Sequence, residues 1–215
     1  MSEDELVDIY DDELTKIGVV PRYEAHKKGS WHFNFHCWIV TRRGGGSVLF
    51  QVRSRSKASF PGLLDSTVGG HYRTGEHPVD LVREIEEEIG IKLGRRRLVP
   101  LGRRLDVASF GGVSKREIAE VFFVLSERPL RRYRLERSEV CGLVEVRIEE
   151  GLGLFKGRRK TATVKGLQWD DDSEGWKDSE MHVDGQSFVP KMDSYYATLF
   201  IMAERMLAGE KDLSI

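Results

Sequence analysis

Apolar side chains recur with two different periods along this chain, and the change of period separates strands from helices. Residues 6–10 and 14–20 alternate like short strands around the acidic turn Asp11-Asp12-Glu13. Residues 21–26 begin a helix, with Pro21 where its missing amide costs nothing. Residues 33–41 and 47–53 are rich in β-branched and aromatic types, and Gly44-Gly45-Gly46 between them marks a turn. Phe60-Pro61-Gly62 breaks the chain ahead of residues 63–70. Over residues 79–89 the apolar positions shift to helical spacing, and Gly90 supplies the stop. Residues 118–125 and 140–146 are further strands. After Gly151 the pattern loosens. The polar stretch following Trp169-Asp170-Asp171-Asp172 predicts no regular element until Gln186-Ser187-Phe188-Val189-Pro190, which leads to a final helix over residues 195–207.

The helix over residues 79–89 carries the most informative polar pattern. At about 100° per residue, Leu81, Ile85 and Ile89 form one apolar stripe with Val82 beside it. Glu84, Glu87 and Glu88, spaced i, i+3 and i+4, share an adjacent face, while Glu86 points away. Like charges at these spacings repel by about 0.2–0.5 kcal/mol per pair, and no Lys is interleaved. A solvated acidic face is the ordinary reading of a glutamate run. A hard divalent cation such as magnesium, which prefers carboxylate oxygens, would turn the repulsion into binding. Arg83, one turn before Glu87, can hold that carboxylate by a forked pair.

Bulk properties narrow the setting. The 215 residues suit one embellished domain. With 34 basic and 35 acidic residues there is no global attraction to nucleic acid or membrane, so anion recognition is local. The longest apolar runs are too short to span a bilayer. The opening Met-Ser-Glu-Asp-Glu-Leu is acidic where a secretory signal is basic and then apolar, which predicts a cytoplasmic location. Cys37 and Cys141 stand far apart without metal-ligand spacing and read as buried small side chains of a reducing compartment.

The loop Gly69-Gly70-His71-Tyr72-Arg73-Thr74-Gly75-Glu76 and the helix after it together resemble the Nudix box. Gly70 and Glu76 keep the spacing of its first half, and Arg83-Glu84-Ile85-Glu86-Glu87-Glu88-Ile89-Gly90-Ile91 fills its second. Six residues separate Glu76 from Arg83, one fewer than the family pattern. The resemblance implies an α/β/α sandwich with a mixed sheet, and hydrolysis of a nucleoside diphosphate-X or other organic diphosphate by metal-activated water. It also implies catalytic roles for Glu84, Glu87 and Arg83, and Mg2+ (or Mn2+) held by Glu84, Glu87 and Glu88. Such sites often add a carboxylate from elsewhere, for which Glu117, Glu120 and Glu139 are candidates. Glu117, opening the strand-like run to Phe123, is favoured, with Glu139 second.

Outside the box, residues 5–150 resemble the Nudix subgroup that includes isopentenyl-diphosphate isomerase. Ala25-His26, Trp31-His32-Phe33, Trp38, Phe60-Pro61-Gly62 and Val68-Gly69-Gly70-His71 carry the likeness. It implies a second metal at His26, His32 and His71, with Glu117 a sensible partner. Arg53 and Lys57 match positions that hold a diphosphate, and with Gly70 and His71 they make up the expected substrate-binding set. Two departures oppose isomerisation: Gly69 stands where the isomerase needs a cysteine, and Lys115 where it has a second metal-binding glutamate. Hydrolysis is therefore the expected activity. A prenyl-diphosphate enzyme of the isomerase type and a non-catalytic diphosphate-binding module are the alternatives. The Trp31–Trp38 and Phe188–Tyr196 segments also resemble bacterial Nudix proteins.

Residues 1–151 are expected to form the Nudix domain and 152–215 an extension packed on it. Trp169, Trp176, Phe188, Tyr195 and Tyr196 serve that packing or form a lid, and Asp170-Asp171-Asp172 a solvated turn or a cation site. The expected partner is a small-molecule diphosphate, without nucleic acid or membrane; a homodimer is left open.

Overall fold

The structure is a computed structural model, and it describes residues 5–57, 59–77, 80–110, 113–191 and 193–215. The acidic start and Val79, the expected first residue of the central helix, lie outside them.

β3 (His32–Thr41) organises the molecule, because its alternate residues serve opposite faces. Phe35, Cys37 and Ile39 enter one apolar core with Leu49 and Val68. Trp38 and Val40 enter another with Phe50 and Phe123. β3 runs antiparallel to β4 (Ser47–Arg53) and β6 (Val68–His71), and parallel to β8 (Val113–Leu125), with His32 opposite Glu117. β5 (Leu64–Ser66) pairs with β4, and β7 (Val99–Phe110) with β8. β9 (Val140–Arg147), β10 (Thr161–Asp170) and β11 (Gly175–Asp184) extend the sheet beyond β4. The order is β11-β10-β9-β4-β3-β8-β7, with β5 and β6 off this path. A separate hairpin of β1 (Leu6–Tyr10) and β2 (Lys16–Pro21) leads into α1 (Arg22–Lys28).

Helices cover both faces. α2 (Leu81–Ile89) buries Leu81, Ile85 and Ile89 against Phe35, Cys37 and Ile39, each contributing roughly 1.5–3 kcal/mol. It ends at Gly90, whose φ of 68° and tight approach to Arg134 suit a residue without Cβ. α3 (Ile148–Phe155) and α4 (Tyr195–Leu207) cover the opposite face through Leu152, Leu199 and Phe200. This is the mixed-sheet α/β/α sandwich. Among the described residues no helix is long and apolar enough to cross a membrane.

Three regions differ from the sequence-based expectation. Residues 63–70 split into β5 and β6 at Thr67, whose hydroxyl donates to Leu49 O. β7 and α3 form where no element was expected. The polar stretch after Trp169 is the turn and second strand of the β10–β11 hairpin. There Asp170 pairs with Lys177 and Asp171 accepts from Arg137 at 2.7 Å. Phe188 is buried in the core together with Tyr195 and Tyr196, the first two residues of α4.

Candidate active site and histidine cluster

Helical spacing on α2 turns Glu84 and Glu88 inward, while Glu87 stays about half exposed. Arg83 lies at their centre. Its Nη2 is 2.8 Å from Glu76 Oε1 and 2.8 Å from Glu84 Oε1, and its Nη1 is 2.9 Å from Glu87 Oε2. The shortened box therefore still brings Glu76 to Arg83, and Glu76 also accepts from the Arg73 amide. Glu86 points outward to Lys92.

Glu84 Oε1 and Glu88 Oε2 are buried without a hydrogen-bond partner, the Arg83–Glu84 contact being an ion pair outside hydrogen-bonding geometry. Burial raises the Glu84 carboxyl above its ordinary range; Arg83 opposes this and Glu87 adds to it. Burial likewise raises Glu88 well above its usual range, helped by nearby Glu139. Two buried, underbonded carboxylates within a like-charge group suit a hard cation, which would hold Glu84 and Glu88 ionised. Glu139 is also ion-paired with Lys57.

The expectation that Glu117 completes this group is corrected by the register of β8. Glu117 lies beside Asn34, on the face opposite α2, and Asn34 Nδ2 donates to its Oε2 at 2.8 Å. Glu120, three residues on, lies on the α2 face, held by Tyr72 and Arg103. Glu139 is the outside carboxylate whose field reaches Glu88.

Glu117 instead joins the histidines. His26 from α1, His32 opening β3, His71 closing β6 and Glu117 offer four ligand atoms within 4.8 Å of one another. The Nε2 atoms of His71, His26 and His32 lie 3.1, 3.4 and 3.7 Å from Glu117 Oε1. His32 Nδ1 donates to Ser30 O at 2.9 Å, which leaves its lone pair on Nε2, facing the cluster. The Nε2 atoms of His26 and His32 are buried without hydrogen-bond partners. Burial lowers His32 and takes His71 down to about 3, so both imidazoles are neutral. Burial works against ionisation of Glu117, but Lys115, His26 and His71 hold it well below the usual carboxylate range. Neutral imidazoles and one carboxylate aimed at a common point fit a divalent transition metal. Lys115 Nζ stands 3.3 Å from the same Glu117 oxygen.

The remaining expected substrate residues are engaged elsewhere. Arg53 pairs with Asp65 at 2.9 Å and donates to Ser59 O. Gly70 is buried in β6 opposite Phe35. A side chain at position 69 would require Ser66 Oγ, 2.6 Å from the Cβ position, to rotate away. Asn34 was not foreseen, although its place between His32 and His36 in an apolar strand marked a polar face. Also unforeseen is a buried network under α4. His36 Nδ1 accepts from Tyr195 OH at 2.9 Å, and Trp38 Nε1 donates to the same oxygen at 2.8 Å. Lys191 and Arg104 meet Asp106 beside it.

The NUDIX domain family model matches residues 11–163. An uncharacterised Nudix hydrolase of Clostridium acetobutylicum is 33% identical over 195 residues, covering 90% of this chain and 94% of the relative. An isopentenyl-diphosphate Delta-isomerase of Mycolicibacterium vanbaalenii is 32% identical over 144 residues, 66% of this chain and 77% of that protein. The solved structure of DR0079 from Deinococcus radiodurans shares the fold with a TM-score of 0.52 and 20% identity, over 71% of this chain and 90% of that one. The chain belongs to the Nudix family, as an enzyme of its pyrophosphohydrolase class.

Proposed function

We propose that the protein cleaves the diphosphate linkage of a nucleoside diphosphate-X or other organic diphosphate in a magnesium-dependent hydrolysis, with manganese as a substitute. The observation that carries this reading is the carboxylate group of α2: Arg83 reaches Glu76, Glu84 and Glu87 together, beside a buried, underbonded Glu88. Glu84, Glu87 and Glu88 would hold the cation, with Glu139 as the outside carboxylate. When bound, the ion neutralises phosphate charge and lowers the pKa of a water. Arg83 fixes the directions of the Glu84 and Glu87 carboxylates. Glu84, already raised in proton affinity, is suited to take the proton of the attacking water at Oε1. Lys57, held by Glu139, is a cation whose field reaches Glu88, and it is suited to bind phosphate oxygens. A panel of nucleotide sugars, dinucleoside polyphosphates, oxidised nucleotides, coenzyme A and prenyl diphosphates tests the proposal. Cleavage should need magnesium or manganese and fall on the order of 10²-fold in Glu87→Gln and Glu88→Gln. Cleavage that survives chelation or both substitutions refutes it, as does a panel left intact.

The histidine cluster favours a second reading, prenyl-diphosphate chemistry of the isomerase type, with a metal at His26, His32, His71 and Glu117. Gly69 offers no thiol where the isomerase carries its proton-shuttling cysteine, and burial pushes the Cys37 thiol up. Hydrolysis is preferred on that ground. Deuterium exchange into isopentenyl diphosphate without phosphate release would reverse the preference.

A further inference from the structure

The α2 carboxylates can act on a diphosphate but say nothing about what it is attached to. Beyond Lys57 and Glu139 the surface opens into a cleft of about 460 Å³ that the box does not build. Residues 54–56, the segment at Arg137 and Ser138, and Trp169 of β10 line it. It adjoins the carboxylate site: the Ser54 amide donates to Glu139 O at 3.1 Å, and the Lys57 amide to Ser54 O at 3.2 Å.

The lining has a definite chemistry. Arg55 faces the cleft and has no ion-pair partner among the described residues. Ser54 and Ser56 join hydroxyls at 3.0 Å and Ser56 donates to Ser138 O at 3.3 Å, so both hydroxyl protons are spent within the lining and Arg55 is the donor turned to an anion. Trp169 is braced on three sides. Its Nε1 donates to Asp171, Trp176 meets its ring edge-on at 5.4 Å, and the Arg137 guanidinium lies over it at 4.5 Å. An anchored indole with a guanidinium is a ledge for a planar ring. A guanidinium without an ion-pair partner among the described residues is a seat for a phosphate. A prenyl chain would cover the Arg55 guanidinium without giving it a partner. A smaller cavity of about 190 Å³ near Tyr10 and Phe33 has its Glu120 already paired with Arg103 and Tyr72.

We propose that this cleft is a second subsite, which takes a phosphorylated planar ring, the nucleotide end of a substrate, on Trp169 and Arg55. That the ring belongs to the substrate rests on the diphosphate-hydrolase reading; the binding site itself does not. The extension's hairpin then selects the leaving group while α2 handles the bond.

The test is a titration of the full chain, labelled with fluorotryptophan, with AMP, followed by fluorine NMR. A Trp169→Phe sample identifies the Trp169 signal among the four tryptophans. That signal should move saturably while the signal of buried Trp38 stays. Arg55→Ala should weaken AMP binding about tenfold, and Trp169→Ala by a similar factor. In turnover of a nucleoside diphosphate substrate, Trp169→Ala should raise KM and leave kcat near its original value. A stationary Trp169 signal at millimolar AMP overturns the proposal, as does inorganic phosphate binding as tightly as AMP. AMP binding at Trp169 in a protein that cleaves no diphosphate would sink the hydrolase reading and leave the subsite standing. Cleavage with no AMP site would do the reverse.

Discussion

His36 makes a measurable claim about how α4 is fastened to the sheet. Tyr195 OH accepts from Trp38 and donates to His36 Nδ1, so the imidazole must be neutral. Burial takes His36 down to about 3 from an ordinary 6.5, and Lys191 adds to this; Asp106 and Asp65 oppose it, and Arg104 sides with Lys191. Because the folded value lies below the unfolded one, the unfolded chain takes the proton first. The stabilisation is intact above about pH 6.5 and is lost progressively as pH falls toward 3. Between about pH 7.5 and about pH 5 the single group should cost about 2 kcal/mol, the free energy of loading the unfolded imidazole with a proton the folded one refuses. Urea titrations at the two pH values measure it in the wild type and in His36→Gln, whose amide oxygen can still accept from Tyr195. His71 and His32 lie outside this network, and Asp65 and Asp106, which are held below their ordinary range partly by His36, stay ionised across the interval. The wild type should therefore lose about 2 kcal/mol more than the variant over this interval. If both lose the same amount, within about 0.5 kcal/mol, the neutral-histidine fastening is wrong.

Lys115→Glu replaces the ammonium beside Glu117 with a further donor. It should tighten cobalt binding at the histidine cluster about tenfold, read by visible absorption, and His32→Gln should abolish that signal. Unchanged cobalt affinity in both would show that the cluster is a hydrogen-bonded core feature. Gly151→Ala would place a Cβ 2.2 Å from the Phe200 ring where α3 meets α4. Overpacking of about 1–3 kcal/mol should lower the urea midpoint, whereas an unshifted midpoint would mean the two helices separate freely.

The legible parts of the structure were those whose pattern is local. α2 shows its carboxylate face because spacing on a helix decides it, and β3 and β4 are marked by runs of buried β-branched and aromatic residues. β10 alternates from Thr161 to Gly166, exposed threonines against buried Ala162 and Val164, and was readable in principle. β11 is an edge strand carrying Lys177, Asp178 and Glu180, with little apolar face to imprint a period. The outside carboxylate was legible only in part: Glu139 stood second among the candidates and its field reaches Glu88, but the favoured Glu117 lies on the other face. Alternation tells that Glu117 and Glu120 point opposite ways. Which of them faces α2 depends on the pairing of His32 with Glu117, a contact between residues far apart in sequence.

β3 carries different obligations on its two sides: odd positions seat α2, even positions supply His32 to the histidine cluster and His36 and Trp38 to the fastening of α4. A point substitution on one side leaves the other chemistry intact, so the two can diverge independently. Insertion of a single residue near Asn34 would exchange the sides, sending imidazoles under the helix and phenyl rings into the cluster, and both would fail together. The strand is therefore open to replacement at single positions and closed to any change in length.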